Sequence, residues 1–154
     1  MRIILSVMVA LSIMSMNANC SFAEKTMRVA ELSKVEGDVQ VVTPKDEKKN
    51  GEVGMQLTEG YGLNTGAGGF AIVDIKGDTG TAKLEVKENT RLKFTEMIED
   101  KAAATQQTLL DMAIGEMLVT SQRIQSEKSK FEVKTPTSIA GIRGTKFTIS
   151  VKAE

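Results

Sequence analysis

Asp78-Thr79-Gly80 is the tripeptide of an aspartic protease. One copy in a chain of 154 residues would act as a homodimer, with two carboxylates sharing a proton. Its setting argues otherwise. The catalytic tripeptide sits in an apolar strand–turn that tunes the carboxyl pKa, whereas here Lys76-Gly77 precedes it and Thr81 follows. A solvated hairpin turn is expected, and hydrolysis through Asp78 is the remote alternative. Gly66-Ala67-Gly68-Gly69 has the composition of a phosphate cradle, but such loops need a helix N-terminus behind them. Phe70-Ala71-Ile72-Val73 follows instead and reads as a strand, so a turn is expected. Arg143-Gly144-Thr145 reads either as a recognition tip or as a turn or bulge feeding the last strand. The turn is the favoured reading.

The chain has no histidine, no tryptophan and one cysteine, Cys20. That excludes histidine triads, histidine-ligated metals and an internal disulfide. No acidic cluster has calcium-loop spacing. No catalytic, cofactor-binding or metal-binding residue is expected, and the chain is read as no enzyme. Lys and Arg number 20 against 20 Asp and Glu, so nothing in the net charge steers the protein toward nucleic acid or an anionic membrane.

Residues 1–23 read as a cleavable secretory signal peptide. Arg2 is followed by an apolar run from Ile3 to Met14, then a polar stretch, and Ser21-Phe22-Ala23 places small residues at −3 and −1. Cleavage is expected after Ala23, which gives a periplasmic or secreted protein of residues 24–154. The run is short for a membrane span. Lipidation at Cys20 and a retained anchor are the alternatives; the residues before Cys20 lack the usual lipoprotein pattern. Loss of Cys20 leaves a thiol-free chain, which suits an oxidising compartment.

The elements that must position everything else are strands. Ala82, Leu84 and Val86 alternate with Lys83, Glu85 and Lys87, and Thr90, Leu92 and Phe94 alternate with charged or polar residues. Phe131 and Val133 do the same, as do Phe147, Ile149 and Val151. Period two sets one face on a core and the other in water. Gly, Asn and Asp punctuate these runs at short intervals. The expected class is all-β, stacked antiparallel strands in a solenoid-like or sandwich-like arrangement. The nearly continuous apolar run 70–75 suits a strand covered on both faces. Residues 43–52, Lys-rich with a proline, should form an exposed loop. Residues 101–113 divide between a helix, favoured by Asp100 and Ala102 to Ala104, and a strand, favoured by alternating Leu110, Met112 and Ile114. A loop through Gln106 and a strand from about Gln107 is the expectation. Few aromatics are present, and no stacking platform for sugars or bases is expected.

The C-terminal stretch contains Phe131, Val133, Thr135 and Pro136, then Gly141, then Arg143, Gly144, Thr145 and Phe147. It resembles the FecR family domain, whose pattern runs "F-x-V-x-T-P", a small-residue connection, then "(R/L)-G-T-x-F-x-V". Upstream, Leu57, Gly60, Leu63, Thr65, Gly66, Gly69 and Ala71 resemble another segment of that pattern. The resemblance spans roughly residues 35–151. FecR-type regulators sit in the inner membrane, with a cytoplasmic segment that controls a sigma factor and a periplasmic domain that receives a signal from an outer-membrane transporter. Here a cleavable signal is expected where the cytoplasmic segment and membrane helix would be, and the FecR-like part runs to about residue 151 of 154.

The resemblance therefore implies an exported, all-β, non-catalytic interaction domain with a protein partner in the cell envelope. The motif has a structural reading of its own. Phe131 and Val133 pack inward, Pro136 ends a strand, Gly144 turns the backbone, and Phe147, Ile149 and Val151 return to the core. The alternative function is an envelope scaffold that self-associates through sheet edges.

Overall fold

The computed structural model describes residues 25–77, 80–122, 126–144 and 146–152. The expected cleavage site at Ala23, Cys20, Asp78 and Thr145 lie outside the described residues. The described chain is all β-structure, with thirteen strands and no helix. In order these are β1 (Lys25–Met27), β2 (Val29–Glu36), β3 (Val39–Val42), β4 (Lys48–Asn50), β5 (Gln56–Leu57), β6 (Gly62–Thr65), β7 (Phe70–Lys76), β8 (Ala82–Val86), β9 (Arg91–Asp100), β10 (Thr105–Ser121), β11 (Lys130–Lys134), β12 (Ile139–Gly141) and β13 (Lys146–Val151).

The strands join into one sheet curled into a half-barrel, with the path β4-β3-β6-β9-β10-β8-β7-β2-β5. Pairing is antiparallel except between β10 and β11, which run parallel. The alternation expected from the sequence is the alternation observed in three of the four runs. Ala82, Leu84 and Val86 are buried, as are Thr90, Leu92 and Phe94, and Phe131 and Val133. They meet Leu32, Ile75, Met97, Met112 and Met117 in one continuous apolar core inside the curl.

β10 is the spine. Its first half pairs with β9 and β11, and its second half pairs with β8 and β13. The parallel register sets Gln107 opposite Lys130. A straight strand from Gln107 to Ser121 would be ~46 Å long. The connection from Ser121 back to Lys130 reaches ~31 Å at most. β10 therefore has to fold over, and it does so near Gly115. Its pairing with β9 shifts register between Met112 and Ile114, and Gly115 has φ +113°.

Hydroxyls brace this bend. The Glu116 N–H donates to Thr90 Oγ1 at 3.0 Å, and the Thr90 N–H donates to Thr65 Oγ1 at 2.9 Å. Thr65 Oγ1 donates in turn to the Lys87 carbonyl at 2.5 Å. The Lys87 N–H reaches the Glu116 carbonyl at 3.0 Å. Thr65 and Thr90 are both buried, so these bonds satisfy groups that water cannot reach.

Four expectations are refined by pairing. Residues 43–52 are not wholly loop, because Lys48–Asn50 form β4, a fully exposed edge strand on β3. Lysines on a short edge blunt it against further pairing. The 70–75 run is buried on one face only. Ala71, Val73 and Ile75 are in the core, while Phe70 and Ile72 are half-covered by long charged neighbours, with Lys34 Nζ 5.5 Å from the Phe70 ring centre. Residues 139–141, expected to be connection, form β12 and double back on β11.

The 101–113 segment is the fourth. It is a turn over 101–104, and the strand starts at Thr105, two residues earlier than expected. Asp100 Oδ1 does accept the Ala103 N–H at 3.0 Å, a helix-cap-like bond. No helix follows, because Leu110 and Met112 bury more apolar surface by pairing with β9 than one isolated turn would. Ala104 closes the turn with φ +49°, a conformation that costs a residue with a Cβ about 1–2 kcal/mol. Ala104 is exposed, so Ala104→Gly should stabilise the protein by about 0.5–1 kcal/mol. A thermal melt that falls rather than rises refutes this.

Candidate docking surface around the C-terminal motif

The C-terminal motif straddles β10. β11 carries Phe131 and Val133, both buried, along the first half of β10. β13 carries Phe147 and Ile149 along the second half. Between them, residues 135–138 form a turn closed by its own hydroxyl. The Thr135 N–H donates to the Ser138 carbonyl at 2.8 Å, and the Ser138 N–H donates to Thr135 Oγ1 at 3.1 Å. Pro136, exposed, takes the position after Thr135, where its fixed φ suits a turn and its missing N–H leaves nothing unsatisfied. Gly141 is exposed at the end of β12, and the following Ile142 is buried, its N–H donating to the Phe131 carbonyl at 2.7 Å. Arg143 is exposed, and Gly144 turns the chain with φ +81°.

β11 leaves β10 at Asp111 and β13 joins it at Gly115. The split leaves a groove of about 480 Å³, walled by the 135–138 turn on one side and by Ile149, Val151 and Lys152 on the other, with Ala113 among its lining residues.

Phe147 is placed differently from the expectation. It lies opposite Val119 on the inner face of the sheet, yet it is 42% exposed. Ile149 is buried and Val151 half-buried. The reason is position. β13 is a margin of the sheet, paired among the described residues with β10 alone, so no further described strand shields its inner face. Six residues without proline or glycine thus form an open edge with an exposed aromatic ring beside it. Open edges of this kind are natural templates for another strand.

Elsewhere the structure brings together a buried polar cluster that no motif signalled. Arg28, 3% exposed, sits between β1 and β2. Its guanidinium donates to Thr108 Oγ1 at 2.9 Å and to the Gly80 carbonyl at 2.6 Å. Buried Glu99 and Gln106 lie on the neighbouring strands. Burial lowers the Arg28 pKa from its ordinary value, and the charge of Glu99 pulls it back up. Gly77 leaves room for the side chain, since a Cβ there would lie 2.7 Å from Arg28 Nε. The signal was readable. Arg28, Ala30 and Leu32 share one face in period two, which set a cation on the core side of the strand.

Gly77 precedes the Asp78 tripeptide and Gly80 ends it, in the connection between consecutive antiparallel strands β7 and β8; Asp78 and Thr79 lie outside the described residues. No group of three or more metal-ligating side chains occurs among the described residues. No described helix is long and apolar enough to cross a membrane.

Residues 61–154 match the family model described as FecR protein. The chain belongs to the FecR family. The match takes in β6 to β13, and so both arms of the C-terminal motif, β10 and the open edge. The FecR family is one of regulatory and signalling domains rather than of enzymes, and its members are typically associated with the cell envelope. No curated protein and no solved structure matches the chain.

Proposed function

We propose that this FecR domain is an exported, non-catalytic interaction module, periplasmic or secreted after cleavage behind Ala23, and that it docks a protein partner in the cell envelope along β13. The single observation that carries the reading is the open β13 edge with Phe147 exposed beside it. A partner strand added there would gain main-chain hydrogen bonds and would cover Phe147. In this reading Phe131, Val133, Thr135, Pro136, Gly141, Arg143, Gly144 and Thr145 are structural. The described ones among them set β11 and β13 along the two halves of β10, and Phe147 is the motif residue that touches the partner.

The scaffold alternative, self-association through the same edge, is disfavoured by charge. An antiparallel pair of two β13 strands centred on Ile149 sets Lys146 of each copy against Lys152 of the other. Like charges directly opposite one another destabilise a pair.

Phe147→Lys tests the docking surface. Phe147 is already largely solvated, so the substitution should cost only about 1 kcal/mol of stability. A photocrosslinker at Thr148 should capture one discrete envelope protein, and Phe147→Lys should reduce that capture about tenfold or more. Capture unchanged by the substitution, or cross-links to a second copy alone with a dimer in light scattering, would refute the reading.

A further inference from the structure

The polar face of the sheet holds a second feature, remote in the strand order from β13. Directly opposed residues share a face, and the registers place Lys48, Val42, Gly62 and Lys93 in one row across β4, β3, β6 and β9. The next row holds Asn64 opposite Arg91. Gly62 has no side chain, so the sheet is hollow between Lys48 and Lys93. The result is an open groove of about 380 Å³ with Val42, Gly62 and Asn64 among its lining. Lys48 lines one side, and Arg91 and Lys93 line the other.

Asp46 also lines the groove, which leaves it a net excess of two positive charges in a chain of zero net charge. None of Lys48, Arg91 and Lys93 makes an ion pair among the described residues. Lysines and arginines along a strand usually answer acids on the next strand. On its β10 side Lys93 faces Asp111 in register, but toward β4 the intervening positions are Val42, Gly62 and Asn64, which supply no acid.

We propose that this groove binds an acidic, extended peptide segment of a protein partner. The spacing selects the occupant. Arg91 and Lys93 are two residues apart on one strand face, ~7 Å, which is the spacing of carboxylates at i and i+2 in an extended chain. Lys48 lies three strand spacings from Lys93, ~14 Å between backbones, wide enough for one extended chain whose alternate side chains reach both walls. The planar Arg91 guanidinium can take one carboxylate in a two-bond fork, and Lys93 and Lys48 take others as point charges. This site is independent of the β13 edge, and either can fail without the other.

The test uses the full processed chain and a labelled hexaglutamate peptide, followed by fluorescence anisotropy. Wild type should bind, more weakly as salt rises. The double variant Arg91→Glu/Lys93→Glu should weaken binding about tenfold or more, since each partner charge now meets a like charge. Gly62→Val keeps every charge but fills the hollow and should weaken binding as well. Its Cβ would sit 3.3 Å from that of Val42, so Asn64→Phe serves as a second filling variant, with melting curves confirming that each is folded. Phe147→Lys should bind the peptide like wild type. Undiminished binding in the reversed or in both filled variants would overturn the proposal, since general charge attraction would then suffice. So would tighter binding of inorganic phosphate or a sulfated oligosaccharide than of the peptide.

Discussion

Gly115→Ala should be among the most damaging single substitutions in this protein, with an expected loss of about 4 kcal/mol, most of the margin of a domain that holds about 5–15 kcal/mol in all. Two effects add. The backbone at Gly115 has φ +113°, and forcing a side chain into that region costs about 1–2 kcal/mol. The second effect is steric. An added Cβ would lie 2.2 Å from Thr90 Oγ1 and 2.4 Å from Thr90 Cα. The hydroxyl can rotate away but the Cα cannot, so the strand itself must move, at a cost of about 1–3 kcal/mol for overpacking. Movement also stretches the bond from the Glu116 N–H to Thr90 Oγ1, which is worth about 1 kcal/mol. Gly54→Ala is the control. Its φ is +88° with nothing within 4 Å of an added Cβ, so it carries the conformational cost alone. Denaturant unfolding of the two variants separates the effects. A Gly115→Ala loss no larger than that of Gly54→Ala would show that the bend in β10 tolerates the methyl group.

The same bend shows where the sequence stops being legible. Alternation marks strands because a half-buried strand must alternate, and 82–86, 90–94 and 131–133 read correctly on that ground. It names a face, however, and not what lies over it. Phe147 shares the face of Ile149 and Val151, so period two sends all three to the core; only the place of β13 at the sheet margin decides that Phe147 stays partly in water. The parallel alignment of β11 on β10 is equally hidden. It depends on β10 folding back on itself, and the cue is one glycine, Gly115, which by itself does not distinguish a turn between two strands from a bend within one. At 101–113, local helix preference and long-range pairing disagreed, and pairing with β9 won because it buries Leu110 and Met112.

Function was legible to a similar depth. The motif residues pointed to a family through their order along the chain, and the family model agrees over residues 61–154. That order does not say that the two arms of the motif flank a third strand, nor that a groove opens between them. The cationic groove is further from view. Lys48, Arg91 and Lys93 are ordinary polar-face residues in sequence, and they become a site only through three registers that place a glycine between them.

Arg28→Met should cost about 3 kcal/mol, although it exchanges a buried charge for an apolar side chain of similar length. Two opposing terms decide the sign. Burying a guanidinium is expensive, which is why its pKa is drawn down, and Arg28 Nε finds no hydrogen-bond partner. Arginine nevertheless stays charged at any ordinary pH, so the folded state bears that cost, and methionine would remove it. Against this stand the groups that would lose a partner. Thr108 Oγ1 and the Gly80 carbonyl would each forfeit a charge-assisted bond, and buried Glu99 would lose the positive charge beside it. Weakening the charge compensation of a buried acid costs more than the relief from one desolvated arginine returns. The loss should therefore be largely reversed in Arg28→Met/Glu99→Gln, and unfolding of the four-member cycle measures the coupling, expected at about 2 kcal/mol. Arg28 also ties β1, on the β9 side of the curl, to β10 through Thr108 and to the β7–β8 connection through Gly80. Met27, the residue before it, pairs with Ile98, and Val29, the residue after it, pairs with Lys76. Hydrogen exchange in the single variant should accordingly rise first in β1 and at Thr81 and Ala82, ahead of the core of β10. Uniform protection across the molecule, together with additive energies in the cycle, would mean that Arg28 and Glu99 are merely near one another and that the curl is held closed by apolar packing alone.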